Sequence, residues 1–128
     1  MTLLLDTQVL IWAVAAPDRL TDVSKAAMAD IHNGLLFSVA SWWEIAIKVR
    51  LGKLDLDADW SPALKREMRR IGVEWLPIRP QHCEAAAMLP FHHRDPFDRL
   101  LIAQAATEGL SVVTSDQRFT SYGTHVIW

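Results

Sequence analysis

Arg94-Asp95-Pro96-Phe97-Asp98-Arg99-Leu100-Leu101-Ile102-Ala103-Gln104-Ala105 is the stretch on which the fold turns. It opens as a helix, with Asp95 suited to the N-cap and Pro96 to the first helical position, where the missing N–H has no partner to lose. The helix runs to Glu108 and is stopped by Gly109. At about 100° per residue, Asp98 falls in the middle of the stripe made by Leu101, Ile102 and Ala105. A carboxylate on a core-facing stripe is costly unless something pairs with it. Asp98 is therefore a candidate metal ligand, and the rest of the chain has to supply its partners.

Outward from this helix, Leu110 to Thr114 is an apolar strand ending at Ser115-Asp116, and Thr124 to Trp128 is a candidate fifth strand. At the other end, Thr2 to Leu5 is a buried strand closed by Asp6, followed by a mostly apolar helix from Thr7 to Ala15. Leu20 to His32 reads as a helix with Asn33-Gly34 as its stop, and Leu35 to Val39 as the second strand. Ser41 is a plausible N-cap for a helix from Trp42 to Leu51. Pro62 to Ile71 forms a basic amphipathic helix, Val73 to Ile78 the third strand, and Pro80 to Met88 a short helix. Strands alternate with helices throughout, with no repeat or linker. Residues 1–128 thus form a single α/β domain with a parallel sheet of four or five strands flanked by helices.

Composition narrows the function. With 13 basic and 15 acidic residues the chain offers no broad basic surface, so any nucleic acid has to be met by a local site. The single cysteine, Cys83, excludes an internal disulfide and a cysteine-rich zinc site. The start Met1-Thr2-Leu3-Leu4-Leu5-Asp6 lacks a basic leader, and no run reaches the ~18 apolar residues of a membrane span. A cytoplasmic location is expected. Asp55, Asp57 and Asp59 imitate the opening of a calcium-binding EF-hand loop. Trp60 and Arg66 stand where that loop needs glycine and glutamate, so the segment is a solvated connection.

Ligands of open α/β sheets bind beyond the carboxyl ends of the strands. Asp6 follows the first strand, Glu44 sits in the helix after the second, Asp116 follows the fourth, and Asp98 opens the helix leading into the fourth. The topology can gather all four. Taken singly, each has a plain explanation. Asp6 and Asp116 can be caps, and Ser41-x-x-Glu44 is a capping box with Glu44 to Lys48 at ion-pair spacing. As a set they suit Mg²⁺ or Mn²⁺, which take oxygen ligands and neutralise charge on a phosphodiester. Thr7, Thr114 and Ser115 lie beside the acids and can orient a water or ligand. His92, His93, Arg94 and Arg99 can meet substrate phosphates. Trp12, Trp42 and Trp43, on short apolar helices, call for cover from an oligomer or a partner.

Leu3-Leu4-Leu5-Asp6-Thr7, Ser38-Val39-Ala40-Ser41-Trp42-Trp43-Glu44-Ile45, the Asp95-to-Ala103 segment and Val113-Thr114-Ser115-Asp116-Gln117-Arg118-Phe119 together resemble the PIN-domain ribonucleases. The resemblance is closest to the VapC-like toxins of toxin–antitoxin modules, and spans nearly the whole chain in order. It implies a three-layer α/β/α domain and an acidic quartet, Asp6, Glu44, Asp98 and Asp116, binding Mg²⁺ or Mn²⁺ and cutting RNA endonucleolytically. It also implies a homodimer, silenced by a VapB-like antitoxin, with Asp95 as a supporting residue. Two rival readings are a catalytically silent interaction module on the same fold and a metal-dependent DNA nuclease.

Overall fold

The computed structural model describes all 128 residues, Met1–Trp128. One sheet carries five strands: β1 Thr2–Leu5, β2 Gly34–Ser38, β3 Val73–Leu76, β4 Ser111–Val113 and β5 Val126–Ile127. All pairings are parallel and the order is β3-β2-β1-β4-β5. The helices are α1 Thr7–Ala15, α2 Asp22–Ala29, α3 Val39–Arg50, α4 Trp60–Ile71, α5 Pro80–Ala87 and α6 Pro96–Glu108. Two 3₁₀ turns, Pro17–Arg19 and Gln117–Tyr122, complete the chain, and neither has a distinct signal in the order of residues.

β1 shows why the architecture is layered. Leu3, Leu4 and Leu5 are all fully buried. Side chains alternate across a strand, so such a run needs cover on both faces. Leu3 and Leu5 pack with Val9, Leu10, Ile45, Leu64 and Met68 from α1, α3 and α4. Leu4 packs on the opposite face with Leu101, Ile102 and Ala105 of α6 and with Phe119. The result is the expected α/β/α sandwich with a five-stranded parallel sheet.

The order of the strands also fixes where a site belongs. The chain moves from β1 outward to β2 and β3, then crosses back to β4 on the other side of β1. Between β1 and β4 the direction of winding reverses, which opens a crevice at the carboxyl ends of these two strands. Asp6 follows β1 directly, and its N–H continues the ladder by donating to the carbonyl of Val113 at 3.0 Å.

Two local expectations change. α3 begins at Val39, three residues early, because Ser38 is the cap: its hydroxyl accepts the N–H of Ala40 at 3.0 Å. Ser41 is buried inside the helix and its hydroxyl has no partner. The Ser41–Glu44 capping box therefore does not form, and Glu44 is released for another role. α2 is shorter than its apolar spacing suggested, running from the Thr21 cap to Ala29. The tryptophans are also covered differently. Trp12 lies 5.9 Å from Trp128, and Trp42 lies 5.1 Å from both Trp60 and Trp75, so the chain itself covers these two. Trp43 alone of the three stays open, 60% exposed, edge-on to Phe97.

Candidate active site

α6 forms as its sequence dictates. Asp95 caps it, accepting the N–H groups of Phe97 at 2.9 Å and Asp98 at 3.3 Å, with Pro96 first in the helix and Gly109 left-handed at φ 68° after it. This start sets Asp98 in the first turn, at the mouth of a cleft of about 420 Å³. Asp6, Thr7, Glu44, Lys48, Lys53 and Asp95 line the same cleft. Asp116 stands beside it rather than in its wall. One carboxylate oxygen of Asp116, one of Asp98 and a ring nitrogen of His93 lie within 4.8 Å of one another.

Each acid is held by short bonds from residues next to it in the fold. Asp6 accepts the N–H of Thr7 at 2.7 Å on one oxygen and the hydroxyl of Thr114 at 2.7 Å on the other. Thr7 also donates its hydroxyl to Glu44 at 2.7 Å, joining the start of α1 to α3. Glu44 is 5% exposed and its second oxygen accepts from Lys48, the ion pair that the helical spacing anticipated. Asp116 caps the turn that follows it and accepts from the Arg118 guanidinium at 2.8 Å. Asp98 has a single polar side-chain contact, His93 Nε2 at 2.8 Å.

The electrostatics show a cluster short of positive charge. Burial, then the negative charges of Asp6, Asp95, Glu44 and Asp116, push the Asp98 carboxyl up to about 8. Burial raises Asp6 too, against the pull of its bonds from Thr114 and Thr7. Asp116 goes the other way, because Arg118 stabilises its charged form. For Lys48, burial works against the charged form, yet the bond it donates to Glu44 and the surrounding carboxylates prevail and raise its pKa. Every donor facing the centre of the cleft from the four acids is an oxygen, which suits a hard divalent cation.

The remaining residues singled out from the sequence divide clearly. Thr7 and Thr114 orient the acids. Ser115 and Arg94 are exposed and form no side-chain hydrogen bonds with them. Arg99 is not available to a phosphate, which corrects the expectation: it is 8% exposed, and four of its N–H groups are directed at main-chain carbonyls. Nη1 donates to Pro90 at 2.8 Å and His93 at 3.3 Å, and Nη2 to Ala86 and Leu89 at 2.9 Å each. Arg99 thus gathers the connection between α5 and α6. His92 is exposed and packs edge-on to Tyr122. His93, read from sequence as a possible phosphate contact, is 5% exposed and lies between two of the acids. Lys53, on the rim of the cleft, had no sequence signal at all, since it comes after α3 has ended.

The fold and cleft define a parallel α/β domain with a carboxylate centre at the carboxyl edge of its sheet, placed at the point where the winding reverses. The chain belongs to the PIN-domain family, whose model matches residues 3–124. It is 31% identical over 125 residues to Ribonuclease VapC22 of Mycobacterium tuberculosis, covering 94% of this chain and 92% of that one. Its fold matches a chain of VapBC2 from Rickettsia felis, a structure bound to a promoter DNA fragment, with a TM-score of 0.72 at 14% identity (98% and 97% of the two chains). A chain of VapBC-1 from nontypeable Haemophilus influenzae matches with a TM-score of 0.70 at 16% identity (98% and 96%). At these identities the solved structures speak for the fold alone.

Proposed function

We propose that this protein is a metal-dependent endoribonuclease, the toxin of a toxin–antitoxin pair, which hydrolyses RNA phosphodiester bonds at Asp6, Glu44, Asp98 and Asp116. The observation that carries the reading is the convergence of Asp6, Glu44 and Asp98 on one open cleft with Asp116 beside it, where burial and the neighbouring negative charges hold the Asp98 carboxyl up to about 8. A folded chain retains such mutual repulsion where a cation relieves it. The relatives support the reading by name, Ribonuclease VapC22 for the activity and the VapBC structures for a VapB-like antitoxin partner.

The four acids would hold Mg²⁺ or Mn²⁺. When bound, the cation supplies charge against the phosphate oxygens and makes water a better nucleophile. The protein's own groups do the rest. Thr7 and Thr114 fix the carboxylates of Asp6 and Glu44, so these need no rearrangement as charge develops. Lys48 and Lys53 on the wall of the cleft offer positive charge to the phosphates flanking the scissile bond. Cytoplasmic action and a homodimer belong to the same proposal. No helix is long and apolar enough to cross a membrane, and the exposed Trp43 offers a partner an aromatic anchor.

Water as nucleophile makes a testable demand on the products. Incubated with a single-stranded RNA and Mn²⁺, the purified chain should leave 5′-phosphate and 3′-hydroxyl ends. A 2′-deoxy sugar at the scissile position should still be cut, because the 2′-hydroxyl takes no part in bond breaking. Ends carrying a 2′,3′-cyclic phosphate, or cleavage undiminished by EDTA, contradict the mechanism. Equal cleavage of a DNA strand of the same sequence favours the DNA-nuclease alternative instead.

A further inference from the structure

His93 lies where no cap, apolar stripe or charge spacing placed it, and four other contacts pin it. Its main-chain N–H donates to Tyr122 Oη at 2.8 Å, and its carbonyl accepts from Arg99 Nη1 at 3.3 Å. Its ring stands edge-on to Phe119, and its Nδ1 accepts the N–H of Asp95 at 3.2 Å. A main-chain N–H can only donate, so Nδ1 carries a lone pair and the ring proton sits on Nε2. Nε2 is the atom 2.8 Å from Asp98 Oδ2 and 3.3 Å from Asp116 Oδ2.

That tautomer decides between two roles. As a metal ligand, Nε2 would need its lone pair free, and His93 would first have to give up its bond from Asp95. As a donor, Nε2–H already bonds Asp116 Oδ2, with Asp98 Oδ2 in ion-pair contact beside it. We propose that His93 is a positioning residue whose Nε2–H bonds Asp116 while its ring nitrogen stays in contact with Asp98, holding the two carboxylates together for the cation. This rests on the metal-dependent reading above.

The chemistry needs such a group at this point. Asp98 opens a helix and Asp116 follows a strand, so the two acids come from different elements and repel one another. The other three acids each have a partner besides His93: Thr7 and Thr114 for Asp6, Thr7 and Lys48 for Glu44, Arg118 for Asp116. Asp98 has none. One N–H bonded to an oxygen of Asp116, with an oxygen of Asp98 in contact beside it, leaves the remaining oxygens for a cation. Arg99 acquires a purpose here, since its grip on the α5–α6 connection includes the carbonyl of His93 itself.

The test uses two variants that separate the ring's nitrogens. His93→Gln carries an amide N–H at the reach of Nε2 but loses the acceptor at Nδ1. His93→Asn keeps an acceptor near Nδ1 but cannot reach the acids. Calorimetric titration of Mn²⁺ into the full chain, without RNA, should give His93→Gln an affinity within a few-fold of wild type. His93→Asn should bind about 10- to 100-fold more weakly. The reverse order, equal weakening in both, or no weakening in either overturns the proposal. In the wild type, nitrogen NMR should show the metal-free His93 ring protonated at Nε2; a proton on Nδ1 overturns the proposal whatever the variants do. A wild type that binds no Mn²⁺ contradicts the metal reading itself, which separates the two failures.

Discussion

Asp98→Asn should abolish RNA cleavage while making the metal-free protein more stable. The substitution keeps the shape of the side chain and leaves an oxygen for His93 Nε2. It removes one charge from a site where burial and four neighbouring carboxylates already hold the carboxyl up to about 8. At about pH 8, relief of that repulsion should raise the free energy of unfolding by on the order of 1 kcal/mol, equivalent to several degrees in Tm. Cleavage should fall on the order of a thousand-fold, because the lost carboxylate is one that holds the cation opposite the developing charge. Thermal unfolding and a cleavage assay on the same preparation check both halves. A variant that is inactive and also less stable would place Asp98 among structural residues instead.

The second large effect is in pH, and its sign follows from Asp98 and Asp6. Both pKa values are raised on folding, so between the ordinary carboxylate value of 3.8 and about 8 the folded state of Asp98 keeps a proton that the unfolded chain gives up. The contribution to stability is fully present below 3.8 and is lost progressively up to about 8. Asp116, whose pKa is lowered by Arg118, contributes stability that is lost only as the pH falls below its ordinary range, so it does not mask this window. Without metal, Tm should therefore decline from about pH 5 to about pH 8. A cation needs the same carboxylates deprotonated, so the rise in Tm on adding Mn²⁺ should grow across that interval. A metal increment that is flat from about pH 6 to about pH 8 argues against Asp98 as a ligand.

The organising helix was legible to the residue, from the Asp95 cap and Pro96 through to Gly109, because its start and stop signals are local. The strands were legible because a parallel sheet buried on both faces leaves unbroken apolar runs such as Leu3-Leu4-Leu5. The start of α3 was misplaced because two serines three residues apart can each cap a helix, and only the length of β2 chooses between them. The four acids could be listed from the chain, and their relation to strand ends suggested that they meet. What could not be listed is what holds them. Arg99 looks like any cation on a helix until the loop carbonyls close around it, and His93 meets Asp98 and Asp116 across gaps in sequence that no periodicity spans. Trp42 looked exposed for the same reason, since Trp60 and Trp75 come from other elements.

The most direct measurement of the carboxylate centre is anomalous diffraction from crystals of the wild type soaked in Mn²⁺. An anomalous peak within about 2.2 Å of carboxylate oxygens of Asp6 and Asp98, missing from identically treated Asp98→Asn crystals, is the predicted result. A peak elsewhere on the molecule with this cleft empty, or one that persists unchanged in Asp98→Asn, would contradict it.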